Sequence, residues 1–505
     1  MKIKAWKKLQ NGSDIRGVAL EGIRDEKVNL TAEVATKLGQ AFAVWLEKNG
    51  KGLKKVAVGT DSRISGNKLR KAFISGLSGS GFDVLDCGLA STPAMFMTTI
   101  DENLGVEGGV MLTASHLPFN RNGMKFFTEK GGFDKGNVTD LLQIAAQEDF
   151  IAVDSEGTVQ NIDFISDYAG FLVETIRKGV NDPAQYNTPL AGLKIIVDAG
   201  NGAGGFFAGK VLEPLGADIS GSQYLNPDGR FPNHVPNPED AEAMDSICKA
   251  VIREKADLGI IFDTDVDRAA IVDADGKAIN RNDLIALISS VILDEHPGSM
   301  IVTDSITSAG LSWFIREHLG GIHHRFQRGY KNVINESLRL NAEGQESWLA
   351  IETSGHAALK ENHFLDDGAY LVAKLLVQMA KMNQQGKTLS SLIKELPHPS
   401  EEAEYRLIIQ AEEFGNYGTK VLDELSSMIE SETDWVPEAP NYEGIRVKCT
   451  CEKEDGWFLL RMSLHDPVMP LNLESNVKGG VAAISGRLML LLSKFGQLGL
   501  DALKG

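Results

Sequence analysis

At 505 residues, with 43% apolar and 24% charged side chains, the chain is too long for one hydrophobic core and has the composition of a soluble globular protein of three or four domains. Its formal charge of −18 argues against nucleic acid or an anionic membrane as the main partner, but leaves room for a phosphorylated small molecule in a local basic pocket. Four cysteines are too sparse for a disulfide framework and fit a reducing compartment, either a cytoplasm or a plastid stroma after loss of a transit peptide.

The amino-terminal MKIKAWKKLQ has no apolar signal core, and no apolar run further along is long enough to cross a bilayer. In GSDIRGVALEG, residues 12–22, Arg16 offers a planar guanidinium fork suited to a phosphate, although Asp-x-Arg is equally an ordinary surface ion pair. KKVAVGTDSR, from Lys54, is a β-rich strand running into a small-residue turn, and a helical pattern follows over residues 68–78. In GVMLTASHLPFNRNGMKFF, residues 110–112 predict a buried strand, with Thr113, Ala114, Ser115 and His116 where it ends. Loop residues Pro118, Asn120, Asn122 and Gly123 separate it from a second strand over residues 124–127. A serine lifted to a strand end beside His116, with Lys125 nearby, suits a nucleophile or a phosphate carrier. Alone, such a pair is more often a serine–threonine turn.

A polar joint at residues 154–161 follows, and beyond it the strand–turn–helix unit recurs. LKIIVDAGNG starts at Leu193 with a helical pattern over residues 206–215, and SMIVTDSITS starts at Ser299 with one over residues 308–318. Three such starts predict three related α/β domains. The run Gly200-Asn201-Gly202-Ala203-Gly204-Gly205 matches G-x-G-x-x-G between strand and helix and keeps a nicotinamide-dependent oxidoreductase open. The acidic residue that this fingerprint needs, Asp218, falls in a weak strand-like run at 217–220. DLGIIFDTDVDRAAIVD carries sharper chemistry, because apolar strands on both sides deliver Asp263, Asp265 and Asp267, with Arg268 next, into one turn. Three carboxylates so close repel one another, and a hard divalent cation such as Mg2+ relieves that repulsion. A calcium EF-hand loop is excluded, since its sixth and twelfth positions, which need Gly and Glu, hold Arg268 and Ala274.

After a turn at residues 275–282, an apolar strand over 348–351 leads into Glu352-Thr353-Ser354-Gly355-His356. These polar side chains suit sugar hydroxyls, and His356 is a candidate acid or base near neutral pH. Arg328-Gly329-Tyr330-Lys331 adds positive charge on a turn. Past a proline-containing joint at 396–401 the texture changes, with strands over 404–409, 444–450, 457–463 and 470–474 and helices over 416–431 and 477–495. This predicts an α+β fourth domain, in which Arg461-Met462-Ser463-Leu464-His465-Asp466-Pro467 follows a strand and suits an anion. Cys449 and Cys451 share a strand face, but no second ligand pair accompanies them.

The order Arg16-Gly17, TASH, D-x-D-x-D-R, E-x-S-G-H and a late R-x-S loop resembles the α-D-phosphohexomutase family, which includes phosphoglucomutases, phosphomannomutases and phosphoglucosamine mutases. FPNHVPNPE, from Phe231, and GYKNV, from Gly329, resemble family segments too, so the likeness runs over nearly the whole chain. It implies an α/β fold of three related domains with mixed sheets and a C-terminal α+β domain around a central active-site cleft. The expected boundaries are 1–158, 159–280, 281–397 and 398–505. By the same resemblance the chain interconverts hexose 1-phosphate and hexose 6-phosphate, as a monomer or homodimer, with a hexose 1,6-bisphosphate as activator. Ser115 is implied as a phosphoserine, with Mg2+ bridging it to Asp263, Asp265 and Asp267. Arg16, His116, Lys125, Arg268 and His356 are the implied acid–base and charge-stabilising groups. Glu352, Ser354 and Lys331 are assigned to the sugar, and Arg461, Ser463 and His465 to the non-reacting phosphate. The chain departs from the family at Thr264 and Val266, where the metal loop usually holds small residues, and at Ile351, where many members have Gly. It departs most at 461–467, where R-x-S-G-T-E-P is the usual pattern and a later basic residue is replaced near Pro470. Either the substrate differs, or the chain is a divergent sugar-phosphate-binding relative with little turnover.

Overall fold

The computed structural model describes residues 3–463 and 466–504. Two compact units emerge, Met1–Leu284 with Ser354–Ser391 and Ile285–Thr353 with Leu392–Gly505.

The first unit is built on two mixed sheets. In the larger, Gly108–Leu112 is apolar and buried at every position, as a strand covered on both faces must be. It pairs in parallel with Lys55–Thr60 and antiparallel with Arg121–Thr128, which in turn pairs with Asp14–Val18. Helix Ala32–Asn49 starts at Thr31, whose side chain accepts from the Val34 N–H. The helix presses Phe42 onto Phe126 with ring centroids 5.0 Å apart. Because Phe126 is committed to that core, its neighbour Lys125 projects from the other side of the strand. The first sheet reaches further than the expected joint at 158, since Val159–Asn161 pairs in parallel with Asp83–Leu89.

In the smaller sheet Leu258–Phe262 lies parallel to Ile195–Asp198 and antiparallel to Ala269–Asp273. The glycine run after Ile195–Asp198 is not a phosphate cradle. A Cβ on Gly202 would lie 2.7 Å from the Thr264 carbonyl oxygen, and one on Gly205 would lie 2.1 Å from that of Leu225. These glycines let chain segments cross at backbone distance, which takes the room a pyrophosphate needs. The predicted helix there is a π-helix, Phe207–Leu212, followed by a 3-10 turn, Glu213–Leu215. No strand forms at 217–220, where the exposed Asp218 forms an isolated bridge to Lys194 and accepts from the Ser220 N–H at 2.9 Å in a tight turn. The oxidoreductase reading loses both its glycine pocket and its acidic partner. The hairpin Ala357–Leu359 and Leu365–Asp366 precedes helix Gly368–Asn383, which packs against helix Phe164–Val180.

In the second unit Met300–Asp304 pairs in parallel with Ile322–Phe326 and Ser347–Ile351. A separate antiparallel sheet runs in the order Glu401–Ile408, Val468–Ser475, Gly456–Leu460, Ile445–Cys449 and Trp435–Pro437, with helices Phe414–Ile429 and Gly480–Leu492 supplying its core partners. The strand Trp435–Pro437 escapes sequence reading, being three residues long and ending in proline. All four cysteines are free thiols. Among the described residues, no helix is long and apolar enough to cross a membrane.

Candidate active site

The first unit gathers Ser115, the three aspartates, Lys125, Arg16, Arg268, His116, Ser354 and His356 from distant segments. Ser115 sits one turn past the strand Gly108–Leu112 with φ +50°, a left-handed conformation uncommon outside glycine. Its N–H donates to Thr113 Oγ1 (2.9 Å), so the serine–threonine turn is present and serves to lift the hydroxyl. Ser115 Oγ donates to Asp263 Oδ2 at 2.9 Å and lies 3.3 Å from His116 Nδ1.

What holds that turn is Arg63, in the TDSR turn where no role was read from the sequence. Its guanidinium is fully buried and donates to four main-chain carbonyls: Pro118 (2.8 Å), Arg121 (2.9 Å), Leu117 (2.5 Å) and Ser115 itself. Arg16 adds a fifth tether, donating to the Thr113 carbonyl at 2.5 Å while paired with Asp14 at 2.8 Å.

Asp263, Asp265 and Asp267 are fully buried, each with a carboxylate oxygen within 4.8 Å of the others'. Lys125 Nζ bonds Asp267 Oδ2 and lies 3.2 Å from Asp265 Oδ2. Thr92, also unforeseen, donates its hydroxyl to Asp265 Oδ2 at 2.5 Å and its N–H to the Asp265 carbonyl at 2.8 Å. Burial, Asp267 and Asp265 together push the Asp263 carboxyl well above its usual range. Burial acts the same way on Asp267, but Lys125, His356 and Arg268 outweigh it and hold Asp267 low. The loop thus keeps more carboxylates than its own cations balance. Among the described residues, Asp265 Oδ1 and Asp267 Oδ1 are buried without a hydrogen-bond partner. Orphaned hard oxygens of this kind fit a divalent cation. Val266, between two of the aspartates, has φ +67°, unusual for a β-branched residue.

The segment Ser354–His356 lies antiparallel on the residues after the aspartates, through a bridge between Arg268 and His356. Gly355 has φ +94°, and a Cβ there would meet the Ala269 carbonyl oxygen at 2.7 Å, so only glycine allows this approach. His356 Nε2 accepts from Arg268 Nε at 2.8 Å, which places the imidazole proton on Nδ1, 2.6 Å from Asp366 Oδ2. Burial and then Arg268 lower the basicity of His356, but Asp366 and Asp267 together outweigh them and the pKa is raised. His116 is pushed the other way, down to about 3, by burial and by Arg268 and Arg16, and is neutral at pH 7. Ser354 is buried, and its Oγ has no hydrogen-bond partner among the described residues.

The remaining predicted residues lie in the second unit. Glu352 is buried and accepts from the Gly329 N–H at 2.6 Å, on the same turn as Lys331. Thr353 Oγ1 donates to Asp304 Oδ2 at 2.8 Å, and Arg328 lies 3.6 Å from the same oxygen. Arg461 is buried, with Nη1 3.8 Å from Glu443 Oε1 and Nε without a hydrogen-bond partner among the described residues. Ser463 Oγ accepts from the Asp466 N–H at 3.2 Å. His465, with Leu464, lies outside the described residues.

The chain matches the family models for phosphoglucomutase/phosphomannomutase α/β/α domain I over residues 7–151, domain II over 173–276 and domain III over 280–400. It is 30% identical over 480 residues to a phosphoglucomutase of Neisseria meningitidis, covering 95% of each chain. A phosphoglucomutase/phosphomannomutase of Thermococcus kodakarensis is 33% identical over 384 residues, 75% of this chain and 79% of that one. Among solved structures, a phosphoglucomutase/phosphomannomutase family protein of Burkholderia thailandensis superimposes with a TM-score of 0.78 at 27% identity, covering 98% of each chain.

Proposed function

The chain belongs to the phosphoglucomutase/phosphomannomutase family of hexose-phosphate mutases, and from that premise we propose that it moves a phosphoryl group between the 1- and 6-positions of a glucose or mannose phosphate by way of Ser115. The observation that carries the reading is the Ser115 hydroxyl 2.9 Å from Asp263, inside a buried triad of aspartates with orphaned oxygens.

Phosphorylated Ser115 donates to a free sugar hydroxyl. The bond from phosphorus to Ser115 Oγ breaks as the bond to the sugar oxygen forms, and the proton of the sugar hydroxyl ends on Ser115 Oγ, which leaves as a free hydroxyl. The bisphosphorylated sugar then reorients, and its other phosphate returns to Ser115 Oγ. Phosphoryl transfer is largely positioning and electrostatics, and this chain's groups are arranged for both. Asp263, Asp265 and Asp267 are the residues that would hold Mg2+, which when bound neutralises charge on the phosphoryl oxygens. Lys125, Arg16 and Arg268 add fixed positive charge around Ser115. Of the two histidines, His116 is neutral with Nδ1 3.3 Å from Ser115 Oγ, and its lowered basicity suits it to orient the hydroxyl by accepting a hydrogen bond rather than to act as the base. Both ring nitrogens of His356 are engaged, so its part is to fix Arg268. Glu352, Ser354 and Lys331 are assigned to sugar hydroxyls, and Arg461 and Ser463 to the phosphate that does not react. A hexose 1,6-bisphosphate restores dephosphorylated Ser115. The bacterial and archaeal relatives lend no support to a plastid protein.

Intact-mass measurement on purified protein tests the carrier. A fraction of wild-type molecules should carry one phosphate adduct, and Ser115→Ala should lose both the adduct and turnover in a coupled mutase assay. Full turnover in Ser115→Ala overturns the mechanism.

A further inference from the structure

The loop at Arg461 contains a feature that the reaction does not require. Glu443 sits in the turn before the strand Ile445–Cys449, and three donors of the kinds that bind phosphate face its carboxylate. Oε2 accepts from the Arg328 N–H at 3.2 Å and from the Ser305 hydroxyl, and Oε1 lies 3.8 Å from Arg461 Nη1. A backbone N–H, a hydroxyl and a guanidinium converging on one oxyanion are a phosphate's ordinary partners.

The carboxylate is fixed in that place. Gly444, next in the chain, has φ +57°, and a Cβ there would meet the Leu460 carbonyl oxygen at 2.2 Å and Arg461 Cα at 2.8 Å. The turn carrying Glu443 is therefore pressed against the backbone that presents Arg461. Yet the contact between the two charges is weak. At 3.8 Å it is beyond hydrogen-bond range, so Glu443 neutralises Arg461 without clasping it. Burial of Arg461 pushes its pKa down and Glu443 opposes this, as expected of a cation whose main nearby counter-charge is that carboxylate. Its orphaned Nε leaves capacity for a stronger, bidentate partner.

We propose that Glu443 is an internal competitor for the substrate's non-reacting phosphate, a carboxylate seated on the donors that receive the anion, and that it limits how tightly this chain holds hexose phosphates. The inference rests on the reading of Arg461 as a phosphate ligand. An incoming dianion gains the guanidinium but meets the carboxylate's negative charge, so affinity is held below what the same donors give without it. Such a device suits a mutase, whose bisphosphorylated intermediate has to let go of this subsite and turn over between the two transfers.

Calorimetric titration of the full-length Mg2+-loaded protein with glucose 6-phosphate and with inorganic phosphate tests this in wild type, Glu443→Gln and Arg461→Ala. Gln keeps an oxygen to accept from Arg328 and Ser305, and thermal melts check that the fold is retained. Glu443→Gln should bind both probes about tenfold more tightly, with the gain shrinking as salt rises, since it is a charge effect. Arg461→Ala should bind glucose 6-phosphate about tenfold or more weakly. Unchanged or weaker binding in Glu443→Gln, with Arg461→Ala still impaired, overturns the competitor role and makes Glu443 a support for Arg461. Unchanged binding in Arg461→Ala overturns the phosphate reading of this loop, and the inference falls with it.

Discussion

The aspartate loop and the Arg461 loop handle buried charge in opposite senses. The first concentrates three fully buried carboxylates and surrounds them with Lys125, Arg268 and Thr92, yet among the described residues leaves two of their oxygens without hydrogen-bond partners. The second buries one guanidinium, whose nearest carboxylate among the described residues is Glu443 at 3.8 Å, with Glu404 and Asp304 acting from further off. One region is short of positive charge, and the other holds a buried cation that is neutralised at a distance but not clasped. That is the pattern expected where a divalent cation and a phosphate are respectively to be received. The two loops also differ in backbone. Val266 is held left-handed between the aspartates, whereas among the described residues none of Arg461, Met462 and Ser463 has a positive φ.

The largest effect is expected from the aspartate side. Asp263 has its pKa raised in the fold, first by burial and then by its two neighbours. The metal-free folded protein therefore binds more protons here than the unfolded chain does. Stability is present at low pH and is lost as pH rises from the ordinary carboxylate range through the raised pKa. Asp263→Asn should remove that loss, raising the Tm of metal-free protein at pH 7 by about 2 °C or more and flattening its pH dependence. Asn keeps the geometry, with its oxygen towards the Arg268 N–H (3.2 Å) and its amide towards Ser115 Oγ (2.9 Å). Turnover should fall by roughly a thousandfold, about 4 kcal/mol in the barrier, because the phosphoryl charge loses a metal ligand. A metal-free Asp263→Asn protein less stable at pH 7 than wild type would mean that the loop is not short of positive charge, and the contrast between the two loops would collapse.

An intermediate effect is expected at Arg63, which shows where the sequence was legible and where it was not. The TASH turn and the alternating aspartates could be read because each is a local pattern, a strand end or three like charges in five residues. Ser115 and Asp263, far apart in sequence, meet only in the fold. Arg63, Thr92 and Asp366 escaped reading because their roles exist only through such meetings. Arg63 acts on carbonyls more than fifty residues downstream, and Thr92 on an aspartate 173 residues away. The fold class was readable from three strand–turn–helix starts, but helix endings in π-turns at Phe207–Leu212 and Phe314–His318 leave no signal in hydrophobic spacing. Arg63→Lys keeps the charge but cannot reach four carbonyls from one ammonium. Turnover should drop by about 10- to 100-fold through misplacement of Ser115, since small errors of position near the reacting atoms are costly. Mg2+ binding followed by calorimetry should be nearly unchanged. Loss of Mg2+ binding in Arg63→Lys would show that the serine turn and the aspartate loop form one inseparable structure, so the charge contrast could no longer be assigned to the aspartates alone.

The smallest effect is expected at Val266, where strain and burial nearly cancel. Holding an L-residue in the left-handed region costs about 1–2 kcal/mol, and a β-branched side chain sits at the upper end of that range. The isopropyl group is fully buried, and removing it forfeits roughly 1.5–3 kcal/mol. Val266→Ala loses most of the burial and keeps the strain, so it should destabilise by about 1–2 kcal/mol. Val266→Gly loses slightly more burial and adds about 0.5–1 kcal/mol of chain entropy, but it releases the strain, so it should be at least as stable as the alanine variant. At an ordinary position glycine is the worse of the two, so the inversion reports the left-handed backbone directly. Denaturant midpoints for the two variants at matched Mg2+ decide it. An alanine variant clearly more stable than the glycine one would mean that the aspartate loop stores no strain at Val266, and the two loops would then differ in charge alone.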